Sequence, residues 1–336
     1  MKETVAQAGP HPPLIRRALL EWFDRVRRDL PWRRSPRHRD PYSVWISEIM
    51  LQQTRVAVVI PYYERFLDRF PTVQDLAAAS EEEVLSLWSG LGYYRRARQL
   101  HAAARMIVSR YDGVFPRKLG DVLSLPGIGR YTSGAILSIT DDQCLPAVDG
   151  NVVRVASRIF GRTFDTPPEA EREVTAWIDP ERPGDFNQAL MELGATVCLP
   201  RQPQCLACPV HDLCQTRGEH VVTRPRARSV AVEEEYLLRT NGDLVWLVQR
   251  PADSTLMPSL WELPAGTSGG KLLGSVKHAI TFRSIEARVY GKTTGGKAMG
   301  RRPAGSGRWM AREEALAAPL TGLTRKILRR FLDWEA

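Results

Sequence analysis

The chain has 336 residues, 43% of them hydrophobic and 25% charged, with a net charge of +9 and an isoelectric point near 9.5. That length suits two domains, the composition excludes general disorder, and no apolar run reaches the roughly 18 residues of a membrane span. The positive charge is nearly all Arg, with Lys only at positions 2, 118, 271, 277, 292, 297 and 326, and it points to a polyanionic partner, nucleic acid before an anionic membrane surface.

Residues 1–13 read as a loose tail with no apolar signal segment, so the expected location is cytoplasmic, the bacterial cytosol or nucleoid. Residues 14–30 fit an amphipathic helix with Leu14, Ala18, Trp22 and Val26 on one stripe, closed by Pro31. An Arg-rich turn, 32–39, follows. Asp40-Pro41 is an N-cap with proline at the first helical position, so a second helix runs from Tyr42 to the polar tip Gln52-Gln53-Thr54. On it, Glu48 stands four residues after Val44, three after Trp45 and three before Leu51, which sets a carboxylate on the apolar stripe. Desolvation there raises the pKa of an unpaired Glu, and pairing with an Arg is the common way to keep one charged.

Helices are expected at 56–70, with Pro61 a point for a kink or a break, and at 72–79, 81–89 and 95–111. The turn G-L-G-Y-Y at 90–94 reads either as an exposed loop whose apolar tips wedge into a base stack, or as two tyrosines packed on a neighbouring helix. Leu125-Pro126-Gly127-Ile128-Gly129 is a short apolar hairpin in which two glycines permit backbone conformations that a β-carbon penalises. The helix that starts at Arg130 presents unpaired N–H groups and a positive dipole end, a setting for a phosphate. Asp149-Gly150-Asn151 opens a further helix with Val152, Val155, Ala156 and Ile159 on one stripe, which places Asp149 at its mouth as an N-cap or an anion aimed at a site.

A helix at 185–197 leads to Cys198, Cys205, Cys208 and Cys214, spaced C-x6-C-x2-C-x5-C. Four thiolates this close can wrap one zinc ion or an iron–sulfur cube, and ligand softness alone does not choose. His211 is read as surface and Cys144 as a buried thiol. No strand is evident before residue 214, so residues 14–214 read as all-α. Residues 215–230 are a polar, basic linker. From 231 the pattern turns to α+β: strands at 232–238 and 244–249 around Asn241-Gly242, the run W-E-L-P-A-G at 261–266, strands at 274–282 and 285–290, a Gly- and Lys/Arg-rich mobile loop at 291–307, and a last helix at 324–334.

Four stretches together resemble the helix-hairpin-helix DNA glycosylases and, within them, the adenine DNA glycosylases of the MutY type. These are L-P-W-R with P-Y-S-V-W-I-S-E-I-M-L-Q-Q-T, G-L-G-Y-Y-R-R-A, L-P-G-I-G-R-Y-T-S-G-A-I with V-D-G-N-V-V-R-V, and the cysteine cluster. The resemblance implies a [4Fe-4S] cluster on Cys198, Cys205, Cys208 and Cys214, with a monovalent cation at the hairpin as a second cofactor expectation. It implies double-stranded DNA containing A:8-oxoguanine or A:G mispairs as partner, with no membrane and a monomer as the default. By position, Glu48 looks like the acid that protonates adenine and Asp149 like the carboxylate that meets the sugar cation. Asn151 looks like their support, and Tyr131 occupies the place where lyase relatives carry a lysine. Trp32, Arg33 and Leu51 look like the adenine pocket. Gln53, Thr54, Leu91, Tyr93, Gly127 and Gly129 look like DNA contacts. The carboxy-terminal region resembles the MutT-like (Nudix-type) domain of the same family, without the acidic metal-binding helix. Thr281 stands near the lesion-reading tip, and Phe282 replaces a histidine expected there.

The chemistry agrees with that resemblance on independent grounds. A base inside a duplex must be extruded before it can be reached, and adenine leaves poorly until a ring nitrogen is protonated. A sheltered acid and a nearby anion are the pattern of glycoside cleavage. Two other readings stay open from the sequence: the same fold acting on a mismatched thymine or an oxidised pyrimidine with lyase action, and a non-catalytic cluster-bearing DNA-binding protein.

Overall fold

The structure is a computed structural model that describes residues 11–34, 39–164, 166–218, 230–280, 283–293 and 307–334. Thr281, Phe282, most of the 215–230 linker, most of the 291–307 loop and part of the Arg-rich turn lie outside the described residues. The chain divides into two compact units, Met1–Ala77 with Ala102–Arg224 and Ala78–His101 with Pro225–Ala336.

The first unit is helical, and among its described residues there is no strand. In chain order the helices are α1 (Pro12–Val26), α2 (Pro41–Leu51), α3 (Val56–Arg69), α4 (Val73–Ala78), α5 (Glu81–Trp88), α6 (Arg95–Tyr111), α7 (Leu119–Ser124), α8 (Arg130–Asp141), α9 (Gly150–Phe160), α10 (Pro167–Thr175) and α11 (Pro183–Thr196). Of these, α5 and the start of α6 belong to the second unit. Helix α1 begins inside the expected tail, and its buried face is Ile15, Leu19, Leu20, Trp22 and Phe23. Leu14 and Val26, expected on the stripe, are 40% and 47% exposed. A helix turns 100° per residue, so two adjacent apolar stripes compete, and the one carrying Phe23 and Leu19 buries more surface. That face packs with Val152, Val155, Ile159, Trp177, Phe186 and Leu190 in one core.

Helix α2 is buried on every side from Tyr42 to Met50, so Glu48 sits in a helix with no solvent face rather than on a stripe. Asp40 caps it by accepting from the Ser43 N–H at 2.9 Å. Helix α3 runs through Pro61 without a break. The hairpin between α7 and α8 follows the sequence closely. Gly127 has φ +80°, the left-handed region that excludes most side chains. Gly129, at φ −107°, does not need to be glycine on that ground.

The second unit holds a mixed sheet, β1 (Val230–Asn241), β2 (Leu244–Gln249), β3 (Trp261–Glu262), β4 (Lys271–Ile280), β5 (Arg283–Thr293) and β6 (Gly307–Met310), with α12 (Arg312–Ala317) and α13 (Gly322–Leu332). The strand order is β3-β2-β1-β5-β4, with β6 on β2; β1 and β5 run parallel over their length and the other pairs are antiparallel. Asn241 pairs with Leu244, so the turn residues are Gly242 and Asp243, one place later than the Asn-Gly signal suggests. Leu247, Leu263, Val276, Ala287, Val289, Ile327 and Leu328 form the core of this unit. The α5–α6 turn is bonded into the same unit: the Leu320 carbonyl accepts from the Tyr94 hydroxyl at 2.9 Å and from Ser89 Oγ at 3.2 Å, and Arg325 Nη2 donates to Ser89 Oγ at 2.9 Å.

Candidate active site

A cavity of about 1070 Å³ opens in the helical unit between α2, the hairpin end of α8, the amino terminus of α9 and one face of α11. Trp32, Arg33, Glu48, Leu51, Gln53, Thr54, Gly129, Tyr131, Asp149 and Asn151 all line it, so the sequence motifs at 32–54, 129–131 and 149–151 converge on one space. Gly127 supplies the hairpin bend outside the lining.

Glu48 is 6% exposed, and the Tyr131 hydroxyl donates to its Oε2 at 2.7 Å. Burial pushes the Glu48 carboxyl up to about 7, helped by the negative charge of Asp149 and opposed by the Tyr131 hydrogen bond and by Arg33. A carboxyl in that range still holds its proton near neutrality, which is what a general acid requires. Burial and the neighbouring carboxylates push the Tyr131 phenol well above its ordinary value, so it remains a hydrogen-bond donor. Its oxygen also lies 3.2 Å from Met191 Sδ.

Asp149 does two things at once. As the N-cap of α9, its Oδ1 accepts from the N–H groups of Asn151 at 2.9 Å and Val152 at 2.8 Å, and its Oδ2 accepts from Asn151 Nδ2 at 2.8 Å. The positive end of the helix therefore faces a carboxylate that also lines the cavity. Asn151 is held in turn by Arg154, whose Nη2 donates to Asn151 Oδ1 at 3.0 Å and to the Gly194 carbonyl at 2.7 Å, while its Nε donates to the Cys198 carbonyl at 2.9 Å. Gly194 lets α11 approach here, since a β-carbon on it would come within 2.7 Å of the Asn151 β-carbon.

The wall formed by α11 was not anticipated. Gln188, Met191 and Glu192 line the cavity, and Glu192 is 1% exposed. Its carboxylate accepts from Arg28 Nε at 2.6 Å, Arg28 Nη2 at 3.1 Å and Arg33 Nη2 at 3.0 Å. Arg33 also donates from Nε to Gln188 Oε1 at 3.0 Å. A local signal does mark Glu192 as inside, since it stands in an apolar helical run with Ala189 three before it and Ala195 three after, but its two Arg partners are out of local reach.

Gln53 is exposed at the end of α2 with φ +57°, while Gln52 turns inward, with its Nε2 3.3 Å from Thr132 Oγ1. Thr54 donates from Oγ1 to the Gln52 carbonyl at 3.3 Å. In the second unit the G-L-G-Y-Y turn is not a fully exposed loop: Leu91 and Tyr94 are each 5% exposed, while Gly90 is exposed and Tyr93, at φ +51°, projects to 45%. Leu91 is taken up by packing because the turn is anchored on both sides by Ser89 and Tyr94. Cys144 is exposed, not buried, since it lies on the loop after α8.

Cys198, Cys205, Cys208 and Cys214 line one small cavity together with Arg158. Among the described residues, no three His, Cys, Asp or Glu side chains form a single-ion site. The donor chemistry nevertheless suits a metal-bearing group. Arg158 is buried, donates from Nη1 to Cys198 Sγ at 3.2 Å, and its Nε has no hydrogen-bond partner. Burial pushes the Cys208 thiol up to about 11, with the neighbouring thiols adding to it. Four cysteines lining one pocket fit a metal-bearing group, which would hold them as thiolates.

Residues 46–180 match the HhH-GPD superfamily of base excision DNA repair proteins. The adenine DNA glycosylase of Rattus norvegicus is 37% identical over 400 residues, covering 94% of this chain and 77% of that protein; the Homo sapiens protein of the same name is 36% identical, covering 94% and 73%. Among solved structures, a thermostable thymine-DNA glycosylase superposes with a TM-score of 0.57 at 30% identity, covering 61% of this chain and 96% of that one. An endonuclease III bound to DNA gives 0.53 at 26% identity, covering 62% and 96%. Likeness that runs through both units of the chain, joined to two carboxylates of contrasting environment on one cavity, places this chain in the adenine DNA glycosylase family of the HhH-GPD superfamily.

Proposed function

We propose that this chain extrudes adenine paired with 8-oxoguanine or guanine in duplex DNA and hydrolyses its N-glycosidic bond with acid assistance, without a lyase step. The observation that supports this above all is the placement of Glu48 and Asp149 on one cavity, the first buried and bonded to a neutral phenol, the second capping a helix. Glu48 gives its proton to a ring nitrogen of the base, and the glycosidic electron pair leaves with the protonated adenine. The sugar is left as an oxocarbenium-like cation, which the Asp149 carboxylate stabilises until water adds. General acid help of this kind accounts for roughly 10²–10⁴ in rate. Tyr131 has no amine with which to form a Schiff base, so the sugar is not carried on to strand cleavage.

Trp32, Arg33 and Leu51 supply the purine pocket. Gln53 and Tyr93 are the groups proposed to enter the stack: both hold left-handed backbone conformations that are unfavourable for residues other than Gly, Asn or Asp. Leu91 shares that role only by leaving its buried position. Cys198, Cys205, Cys208 and Cys214 would hold a [4Fe-4S] cluster, whose thiolate ligation would tie together the loop that follows α11, with Arg158 on α9 donating to Cys198 Sγ. A monovalent cation at the hairpin, with its helix mouth facing a phosphate, completes the proposed cofactors, and a monomer on double-stranded DNA is the working unit.

Base release from duplexes holding A opposite 8-oxoguanine, A opposite G and T opposite G, scored with and without alkali, tests the proposal. Adenine loss revealed only by alkali is expected. Strand cleavage without alkali would replace it with a lyase, and loss of thymine alone with a thymine glycosylase.

A further inference from the structure

Two cations and one anion are packed into the wall of the excision cavity. Glu192 accepts from Arg28 through Nε, Nη2 and the backbone N–H, and from Arg33 through Nη2. Arg33 is held from two further sides, donating from Nε to Gln188 and from Nη1 to the Arg28 carbonyl at 3.2 Å, with its guanidinium 5.2 Å from the Phe23 ring centroid. All three of its nitrogens are therefore committed, and the group cannot swing toward the carboxyl of Glu48 across the same cavity. The groups that act electrostatically on Glu48 come from three directions: Tyr131 on α8, Asp149 at the mouth of α9 and Arg33 on the turn before α2. Of these, only Arg33 favours loss of the Glu48 proton through its charge.

From this arrangement we infer that Glu192 is a positioning residue of the excision site: by clamping Arg28 and Arg33 it fixes the Arg33 guanidinium against the cavity wall and offsets the charge that would otherwise draw the proton off Glu48. The inference rests on Glu48 being the acid, as proposed above. A purely structural tie between α11 and the loop before α2 would instead show as an equal loss of activity at every pH. Burial would push Glu192 up, but the two guanidiniums hold it below its ordinary value, so it carries its charge throughout the working range.

The test is single-turnover adenine release from an A:8-oxoguanine duplex, followed from about pH 5 to about pH 9, for the parent protein, Glu192→Gln, Arg28→Gln and Glu48→Gln. Glu192→Gln leaves two uncompensated cations and should move the high-pH loss of activity to lower pH, so that the rate at about pH 8 falls roughly tenfold and that near pH 5.5 stays within a few-fold of the parent. Arg28→Gln leaves one cation and one anion and should move the same limb to higher pH. Opposite shifts support the inference; an equal loss at every pH, or shifts of one sign, overturn it. If Glu192→Gln fails to fold, the direction given by Arg28→Gln decides alone. Retained release by Glu48→Gln would instead remove the acid assignment.

Discussion

Glu48 on α2 and Glu192 on α11 line one cavity, lie in the middle of helices with apolar neighbours, and are 6% and 1% exposed. Both are buried, yet their proton affinities diverge. Glu48 has one hydrogen bond among the described residues, from a neutral phenol, and a negative neighbour in Asp149; its carboxyl is pushed up to about 7 by burial. Glu192 has two guanidiniums and is held below the ordinary carboxylate value despite burial. Burial creates the demand for a positive partner, and the local company decides whether a proton or an arginine meets it.

The contrast is broken most directly by removing the proton. Glu48→Gln should slow single-turnover adenine release by roughly 10²–10⁴-fold while mispair binding, measured by gel shift, stays within about threefold; full activity would mean that the sheltered carboxyl is not a donor. Next in size is Glu192→Leu, which strands two cations and should lower stability by roughly 3–5 kcal/mol in a denaturant titration. Glu48→Gln should do the opposite. The folded protein holds the Glu48 proton more tightly than the unfolded chain, so ionising it costs stability as pH rises from the ordinary value of 4.5 to about 7. Gln avoids that cost, on the order of 3 kcal/mol at pH 8 before relaxation, and the gain should vanish below pH 4 in paired melting curves. A gain that persists at low pH would trace to packing instead. The smallest effect is that of Tyr131→Phe, which removes the donor to the Glu48 carboxylate and should carry the high-pH limb further up, by an energy of roughly 1 kcal/mol.

Much of the site could be read from the sequence because its signals are local. Asp40-Pro41 fixes where α2 starts, the spacing of Val44, Trp45 and Leu51 fixes that Glu48 is inside, and Asp149 before Gly150 fixes a cap. Gly127 marks the bend on its own. Long-range choices were not legible. The stripe of α1 rotated by one residue because the partner face, Trp177 and Phe186, arrives from far along the chain. The sequence leaves the turn at Leu91 open between an exposed tip and a packed one because the Leu320 carbonyl that anchors it is more than two hundred residues away. Strand β5 extends beyond its apolar alternation because parallel β1 and antiparallel β4 support it on either side, β4 starts early because it pairs with β5, and short elements such as β6 and α12 carry too little period to announce themselves. Glu192 was missed because its meaning depends on Arg28 and Arg33, which the sequence separates from it.

The double duty of Asp149 has a consequence for how damage to this protein would show itself in a cell. Its carboxylate holds two backbone N–H groups and the Asn151 amide, so losing it should unravel the first turn of α9 by roughly 1 kcal/mol besides stopping the chemistry. Such a variant is a candidate for clearance by proteases. By the predictions above, Glu48→Gln should instead leave a sturdier protein that binds its mispair without turning it over, and so obstructs the site. On the proposed roles, loss of either carboxylate should therefore give unequal phenotypes, one recessive through absence and the other obstructive through persistence.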